Sequence, residues 1–264
     1  MLNILFIGDV NGKPGRAAVK ALLPGIRRDK QIDFVIANGE NAAGGFGITA
    51  KTFDELVSMG IDVITTGNHI WDKKEIYTLI PVQPKLLRPA NMAEENPGRG
   101  YNIYECEKNG KIHRIGVINL TGRVYLPPSD DPFRKAVKIA DEIRVSTKVI
   151  IVDFHAEATS EKAALGHYLD GKVSAVIGTH THVQTADEKI LKEGTGYLTD
   201  AGMTGPHDSV IGVKKEQIIR RFLTFLPDRF ELAEGDNRLN GVVVSVDEEN
   251  GKCVSIERLN ISHA

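Results

Sequence analysis

Cysteine is scarce: Cys106 and Cys253 are the only two in 264 residues. Both fall in stretches that read as hairpin strands. They give no sign of a disulfide scaffold or of a zinc site built on paired cysteines, and two reduced, packed thiols are the plain reading. Long apolar runs are missing too. The run from Ile4 to Ile7 is too short for a signal-peptide core and lacks a basic flank. No stretch approaches the ~20 apolar residues of a membrane span, so a soluble cytoplasmic protein is expected. Charge of one sign is not in excess. With 33 basic and 35 acidic residues the formal net charge is −2, so no global field draws the chain to nucleic acid or an anionic membrane. Stable nucleic-acid binding is not expected. A metal site could still supply positive charge locally for a nucleotide substrate. Repeats, low-complexity linkers and composition breaks are lacking as well, which favours one domain over residues 1–264.

What is present is an alternation of short apolar runs and amphipathic stretches. Asn3 to Ile7, Phe34 to Ala37 and Val63 to Thr65 read as buried strands. Pro14 to Ile26 reads as a helix that Pro24 should end or kink. Thr49 can cap a helix that runs through Met59 and stops at Gly60. A short helix is expected over Asp72 to Thr78. This alternation indicates a sheet covered on both faces. Asn109-Gly110 joins Tyr101 to Glu107 and Ile112 to Asn119 as a hairpin. With the proline-bearing loop 127–132, it forms an elaboration expected around residues 84–133. The βα pattern resumes with helix Arg134 to Arg144, strand Val149 to Val152, helix Ser160 to Leu169 and strand Ser174 to Ile177. The tail has hairpin signals at Glu193-Gly194 and Asn250-Gly251, with a helix from Lys214 to Leu226 between them.

Polar residues gather just past five of these apolar runs: Gly8-Asp9, Asn38-Gly39-Glu40-Asn41, Gly67-Asn68-His69, Phe154-His155 and Gly178-Thr179-His180-Thr181-His182. Open α/β sheets bind ligands beyond the carboxyl ends of their strands, so the five groups can share one rim. Taken singly, each has a bland explanation. Asp9 or Asn68 can cap a helix or turn, Glu40 and Asn41 can be loop residues, and His155 can be a satisfied core histidine. Five such coincidences at five strand ends are harder to accept than one site. Leaving His69 aside, three histidines, two carboxylates and two asparagines offer nitrogen and oxygen without thiolate, which suits iron, manganese or zinc. The set is large enough for two ions held by a bridging carboxylate.

These residues and their order resemble the calcineurin-like metallophosphoesterases. The chain departs from that superfamily's pattern in four ways. Asn11 stands where the pattern has histidine, and Gly39-Glu40-Asn41 replaces Gly-Asp. Ile70 follows His69 where an acidic residue is usual. The last motif, Gly178 to His182, is one residue longer. Those departures resemble the YmdB-like branch of bacterial phosphodiesterases, over nearly the whole chain. The resemblance implies an α/β sandwich of two mixed β-sheets flanked by helices. It implies two metal ions, divalent or trivalent, with iron favoured and manganese able to serve. Asp9, Glu40, Asn41 and His182 would hold one; Glu40, Asn68, His155 and His180 would hold the other, with Glu40 bridging. His69 would give a proton to the leaving group, having no acidic residue next to it.

The implied substrate is a small phosphodiester or nucleotide, with 2′,3′-cyclic nucleotides favoured. A phosphomonoesterase on the same centre and a regulatory metalloprotein with weak turnover stay open as alternatives, and there is room for a homo-oligomer. No aromatic cluster near the motifs announces a base-stacking platform. Phe46, Trp71 and Tyr125 are candidate wall residues, Arg123 and Lys13 candidate phosphate partners, and His207 and Asp208 candidate loop contacts; each also has an ordinary surface or core reading.

Overall fold

A computed structural model describes residues 1–263. In chain order its elements are β1 (Leu2–Ile7), β2 (Asp9–Val10), α1 (Gly12–Asp29), β3 (Phe34–Asn38), α2 (Ala50–Ser58), β4 (Val63–Thr65), α3 (Ile76–Leu79), β5 (Tyr101–Lys108), β6 (Lys111–Thr121), α4 (Pro132–Arg144), β7 (Ile150–His155), α5 (Thr159–Tyr168), β8 (Ala175–Thr179), β9 (Lys189–Ile190), β10 (Gly196–Leu198), β11 (Met203–Pro206), α6 (Lys215–Thr224), β12 (Asn237–Val246) and β13 (Cys253–His263).

Two mixed sheets form. The first runs β2-β11-β12-β1-β3-β4, with β13 also paired to β12; the second runs β5-β6-β7-β8-β10-β9. Within them β1, β3 and β4 are parallel, as are β6, β7, β8 and β10. The β5–β6 hairpin supplies two strands of the second sheet, turning at Asn109 and Gly110, both at positive φ.

The single sheet covered on both faces gives way to two sheets, each with helices on one face and its partner on the other. Side-chain alternation explains how. Ile4 and Phe6 of β1 pack between the sheets with Ile115 and Val117 of β6 and with Ile151 of β7. Leu5 and Ile7 pack outward against Val19 and Leu23 of α1 and Phe53 and Leu56 of α2. On the far side, Val152 and Phe154 of β7 meet Ile139 and Ile143 of α4. Strands buried on both faces read as unbroken apolar runs, whichever layer covers them.

Most helix boundaries differ from expectation by a residue or two, and three cases stand out. Pro24 does not stop α1, which continues to Asp29. Pro24 and Lys20 both lie on the exposed face, so water can satisfy the Lys20 carbonyl that the proline leaves without its N–H. The helix expected over Asp72 to Thr78 is instead Ile76–Leu79, with bends and turns over residues 72–75. The helix expected to reach Leu226 ends at Thr224, where Phe225 turns left-handed at φ 56. The Thr49 cap is present as a capping box with Thr52, an arrangement worth about 1 kcal/mol. Both cysteines are free and buried. Among the described residues, no helix is long and apolar enough to cross a membrane.

Candidate metal centre

The space between the sheets changes character at one end. Going along β3, β7 and β8, the inward positions run Phe34-Ile36-Asn38, Ile151-Asp153-His155 and Ala175-Ile177-Thr179. The last one or two of each are polar and fully buried. A buried polar group is tolerated only when paired, and these pair with one another. Asn38 Nδ2 donates to Asp153 Oδ2 at 3.1 Å, and Thr179 Oγ1 donates to Asp153 Oδ1 at 2.7 Å. A hydroxyl has one proton, so the Thr179 oxygen is left to accept from His155 Nδ1–H, 3.0 Å away. That fixes the tautomer of the neutral ring: Nε2 of His155 then carries a lone pair facing the rim.

Around that Nε2 the other groups close in. Glu40 Oε1 lies 3.1 Å away, Asn68 Oδ1 3.1 Å and His180 Nδ1 3.0 Å. Gly67 is required for this approach, since a Cβ there would lie 2.1 Å from the His155 ring. His180 directs its Nε2–H to Glu157 Oε2 at 3.1 Å, leaving Nδ1 as the free nitrogen. His182 directs Nδ1–H to the Ile211 carbonyl at 2.9 Å, leaving Nε2 beside Asn41 Nδ2 at 3.0 Å. Asp9 accepts the His180 backbone N–H on Oδ2 at 3.1 Å. When neutral, His155 and His180 thus present unprotonated nitrogens to one place, and His182 presents one beside Asn41.

The electrostatics point the same way. Burial pushes the Asp9 carboxyl up, and pushes that of Asp153 up to about 7. Burial would raise Glu40 too, but the His155 charge and the His69 N–H outweigh it and hold it at about 2. Burial would lower His155; Glu40, with Asp9 and Asp153 behind it, raises it instead to about 9. Burial and the neighbouring His155 charge depress His180 to about 3. Asp9 Oδ1 and Asn41 Oδ1 are buried without a hydrogen-bond partner. Two orphaned acceptors, crowded ring nitrogens and anionic groups out of water are what a cation site offers. Glu40, His155 and His180 bring ligand atoms within 4.8 Å of one another. The donor set therefore fits metal ions.

The centre floors a cavity of about 410 Å³ that is also lined by Asn11, Phe46 and His69. A larger groove, about 620 Å³, opens where β1 and β7 begin, beside Leu2 and Val149, and touches none of the candidate residues. All eight residues singled out from the sequence, Asp9, Glu40, Asn41, Asn68, His69, His155, His180 and His182, lie in or beside the first cavity. Lys13, Trp71, Arg123, Tyr125, His207 and Asp208 do not line it. Trp71 stacks on Tyr77, Tyr125 is 90% exposed and Asp208 pairs with Lys215. His69 does have an acidic partner, three residues on rather than next door: Asp72 Oδ2 lies 2.9 Å from its Nδ1. The spacing His-x-x-Asp is its signal in the sequence. Glu157, two residues past His155, joins the site with no motif to mark it.

A family model described as YmdB-like protein matches residues 5–259. The chain belongs to the YmdB-like family. It is 54% identical to the 2′,3′-cyclic-nucleotide 2′-phosphodiesterase of Bacillus subtilis strain 168, over 99% of this chain and 97% of that one. A crystal structure of a hypothetical protein from Thermus thermophilus superposes with a TM-score of 0.91 at 41% identity, covering all of both chains. A novel phosphatase from Mycoplasma pneumoniae gives the same TM-score at 37% identity, over 99% of this chain and 93% of that one. Half of the 5′-nucleotidase of Candida albicans superposes on 98% of this chain, at 13% identity and TM-score 0.57, and shares its fold.

Proposed function

We propose that this YmdB-like chain is a metal-dependent phosphodiesterase acting on a small cyclic phosphodiester, with 2′,3′-cyclic nucleotides as the favoured class. One observation carries the reading: an oxygen of Glu40, an oxygen of Asn68 and a nitrogen of His180 all stand within 3.1 Å of His155 Nε2. The 54% identity to a protein described as a cyclic-nucleotide phosphodiesterase supports the substrate class.

Glu40, Asn68, His155 and His180 would hold one ion. Asp9, Asn41 and His182 would hold a second, with Glu40 shared; iron is favoured and manganese would serve. When bound, such ions polarise phosphoryl oxygens and make water a nucleophile at neutral pH. The remaining work falls to the chain's own groups. His69 sits on the cavity wall with Nδ1 turned to Asp72, so its Nε2 is the atom free to protonate a departing alkoxide. Asp72 fixes that orientation, so that a proton carried on Nε2 is aimed at the leaving oxygen. Glu40 Oε2 accepts the His69 backbone N–H at 3.1 Å, so the carboxylate proposed to bridge the ions also positions the acid.

The test is direct. Protein purified without added metal is analysed for metal, loaded with iron or manganese, and assayed on 2′,3′-cyclic nucleotides, linear diesters and the corresponding monoesters. Fastest turnover of the cyclic diesters is expected. Faster turnover of the monoesters would make it a phosphomonoesterase, and no turnover by a fully loaded sample would end the proposal.

A further inference from the structure

Between β11 and β12 the chain leaves the first sheet over residues 207–236. The neck of this excursion is held by short bridges from Val213 to Val210 and to Leu232. Lys214 N–H bonds to the Glu231 carbonyl, and Ala233 N–H to the Gly212 carbonyl. Its helix, α6, buries none of its residues. The excursion therefore contributes little to the core, and its cost in ordered chain asks for another purpose.

Its apolar side chains answer that. Ile211, Val213, Ile218, Phe230 and Leu232 line the cavity whose other residues include Glu40, Asn41, His180 and His182. The position of this wall is set by close contacts. Leu232 packs so tightly on the loops of the centre that a Cβ at Gly12 would lie 2.2 Å from its Cδ1. Gly212, at φ 96, lies so near Asn11 that a Cβ there would be 2.0 Å from Nδ2. The Ile211 carbonyl fixes the His182 ring. Wall and centre are one unit.

A phosphate needs no apolar wall. The cavity suits a ligand with one anionic end and a flat, weakly polar remainder. Two aromatic rings serve the second part. Phe46, 45% exposed, projects from the glycine-rich 44–47 loop and meets the His69 ring edge-on at 5.0 Å. Phe230 carries the Arg221 guanidinium 5.2 Å from its centroid, which restrains that ring. Among the described residues lining the cavity none is Lys or Arg, while Glu157 and Glu231 both line it. A second phosphate would meet those two carboxylates and no lining cation, the Arg221 guanidinium being stacked on Phe230.

We infer that the 207–236 excursion is a nucleobase slot, in which Phe230 and Phe46 recognise the base of a nucleotide carrying a single phosphate. This rests on the diesterase reading above and goes further by assigning selectivity to Phe230. Base–aromatic stacking changes affinity by about tenfold to a hundredfold per base.

The experiment compares kcat/KM for a 2′,3′-cyclic nucleotide with that for 1-O-methylribose 2′,3′-cyclic phosphate, which has the same reacting ring and no base. In the metal-loaded enzyme the nucleotide should win by about tenfold or more. Phe230→Ala should shrink that ratio about tenfold, with KM carrying most of the change, and Phe230→Tyr should restore it. Equal kcat/KM for the two substrates in the parent enzyme would overturn the slot while leaving the diesterase reading intact. So would equal losses on both substrates in Phe230→Ala. Failure of the parent enzyme to turn over either diester would overturn both.

Discussion

The Nζ of Lys162 lies 2.6 Å from Oδ2 of Asp200, and both side chains are almost wholly shielded from water. The same oxygen accepts the backbone N–H and the hydroxyl of Thr181, at 3.1 and 2.8 Å, while Oδ1 accepts Gly202 N–H at 2.8 Å. This ion pair ties α5 to the turn that carries His180 and His182. Both histidines stand at positive φ, 103 and 66, a conformation that costs an ordinary residue of order 1–2 kcal/mol. The turn needs holding from outside, and Asp200 holds it at its middle residue.

Lys162→Met leaves the Asp200 carboxylate buried and unpaired, so it should destabilise the metal-free protein by about 3–5 kcal/mol. Lys162→Met with Asp200→Asn, which removes both charges and keeps an acceptor for Thr181, should recover a large part of that loss. Urea unfolding of the four proteins completes the cycle. Additive losses would mean that the two charges do not depend on each other.

Metal loading should release protons. In the metal-free protein His155 is raised to about 9 by Glu40 and its acidic neighbours, so it is charged at neutral pH. His180, depressed to about 3, is already neutral. A ligating imidazole must be neutral, so binding should displace about one proton per chain from His155 between pH 7 and 8. The sign follows for stability. The raised His155 contributes to the metal-free fold below its unfolded value of 6.5, and that contribution fades as pH rises through about 9. Metal affinity should climb up to about pH 9 and then level. Calorimetry in buffers of different ionisation enthalpy counts the protons; none released would mean His155 is neutral beforehand.

The strands and the candidate site are marked in the sequence by the same feature. Buried parallel strands are short apolar runs, and their carboxyl ends are marked by glycine followed by Asp9, Glu40, Asn68 or His180. The side-chain period of two then places Asn38, Asp153, His155 and Thr179 in the seam between sheets. What could not be read depended on distant partners. Asp153 falls just past the expected strand end at Val152 and shows no role until Asn38 and Thr179 reach it from β3 and β8. Lys162 reads as a solvent-facing helix lysine, yet it is 1% exposed because Asp200 awaits it. Phe230 and Ile218 lie far along the chain from every motif, in an excursion whose sequence gives no sign of folding back over the centre.

His69→Ala should keep its metal and lose about 10²- to 10⁴-fold in kcat, the usual worth of a general acid. Asp72→Asn should cost less, because it removes only the orienting carboxylate at 2.9 Å. A substrate with an acidic leaving group, such as a p-nitrophenyl diester, needs no protonation and should be much less affected. Elemental analysis beside kinetics decides the matter: metal lost together with activity would make His69 a ligand rather than the acid.

Gly67→Ala isolates the geometry of the centre. The added methyl would lie 2.1 Å from Cδ2 and 2.3 Å from Nε2 of His155, far inside van der Waals contact. The ring cannot retreat, because Thr179 holds its Nδ1 at 3.0 Å and Phe154, beside it in β7, is locked in the outer core. Gly67 itself is not at positive φ, so backbone strain is not the issue; only the space is. Overpacking of this kind typically costs about 1–3 kcal/mol, small enough to leave a folded protein. The variant should therefore still unfold cooperatively, at a lower midpoint than the parent, yet bind metal at least about tenfold more weakly, since His155 and its neighbours Asn68 and Glu40 are displaced together. Gly25→Ala is the control. Nothing lies within 4 Å of a Cβ at that helical position, so it should stabilise α1 by about 0.5–1 kcal/mol without touching metal affinity. Parental metal affinity in Gly67→Ala would show that His155 is not a ligand.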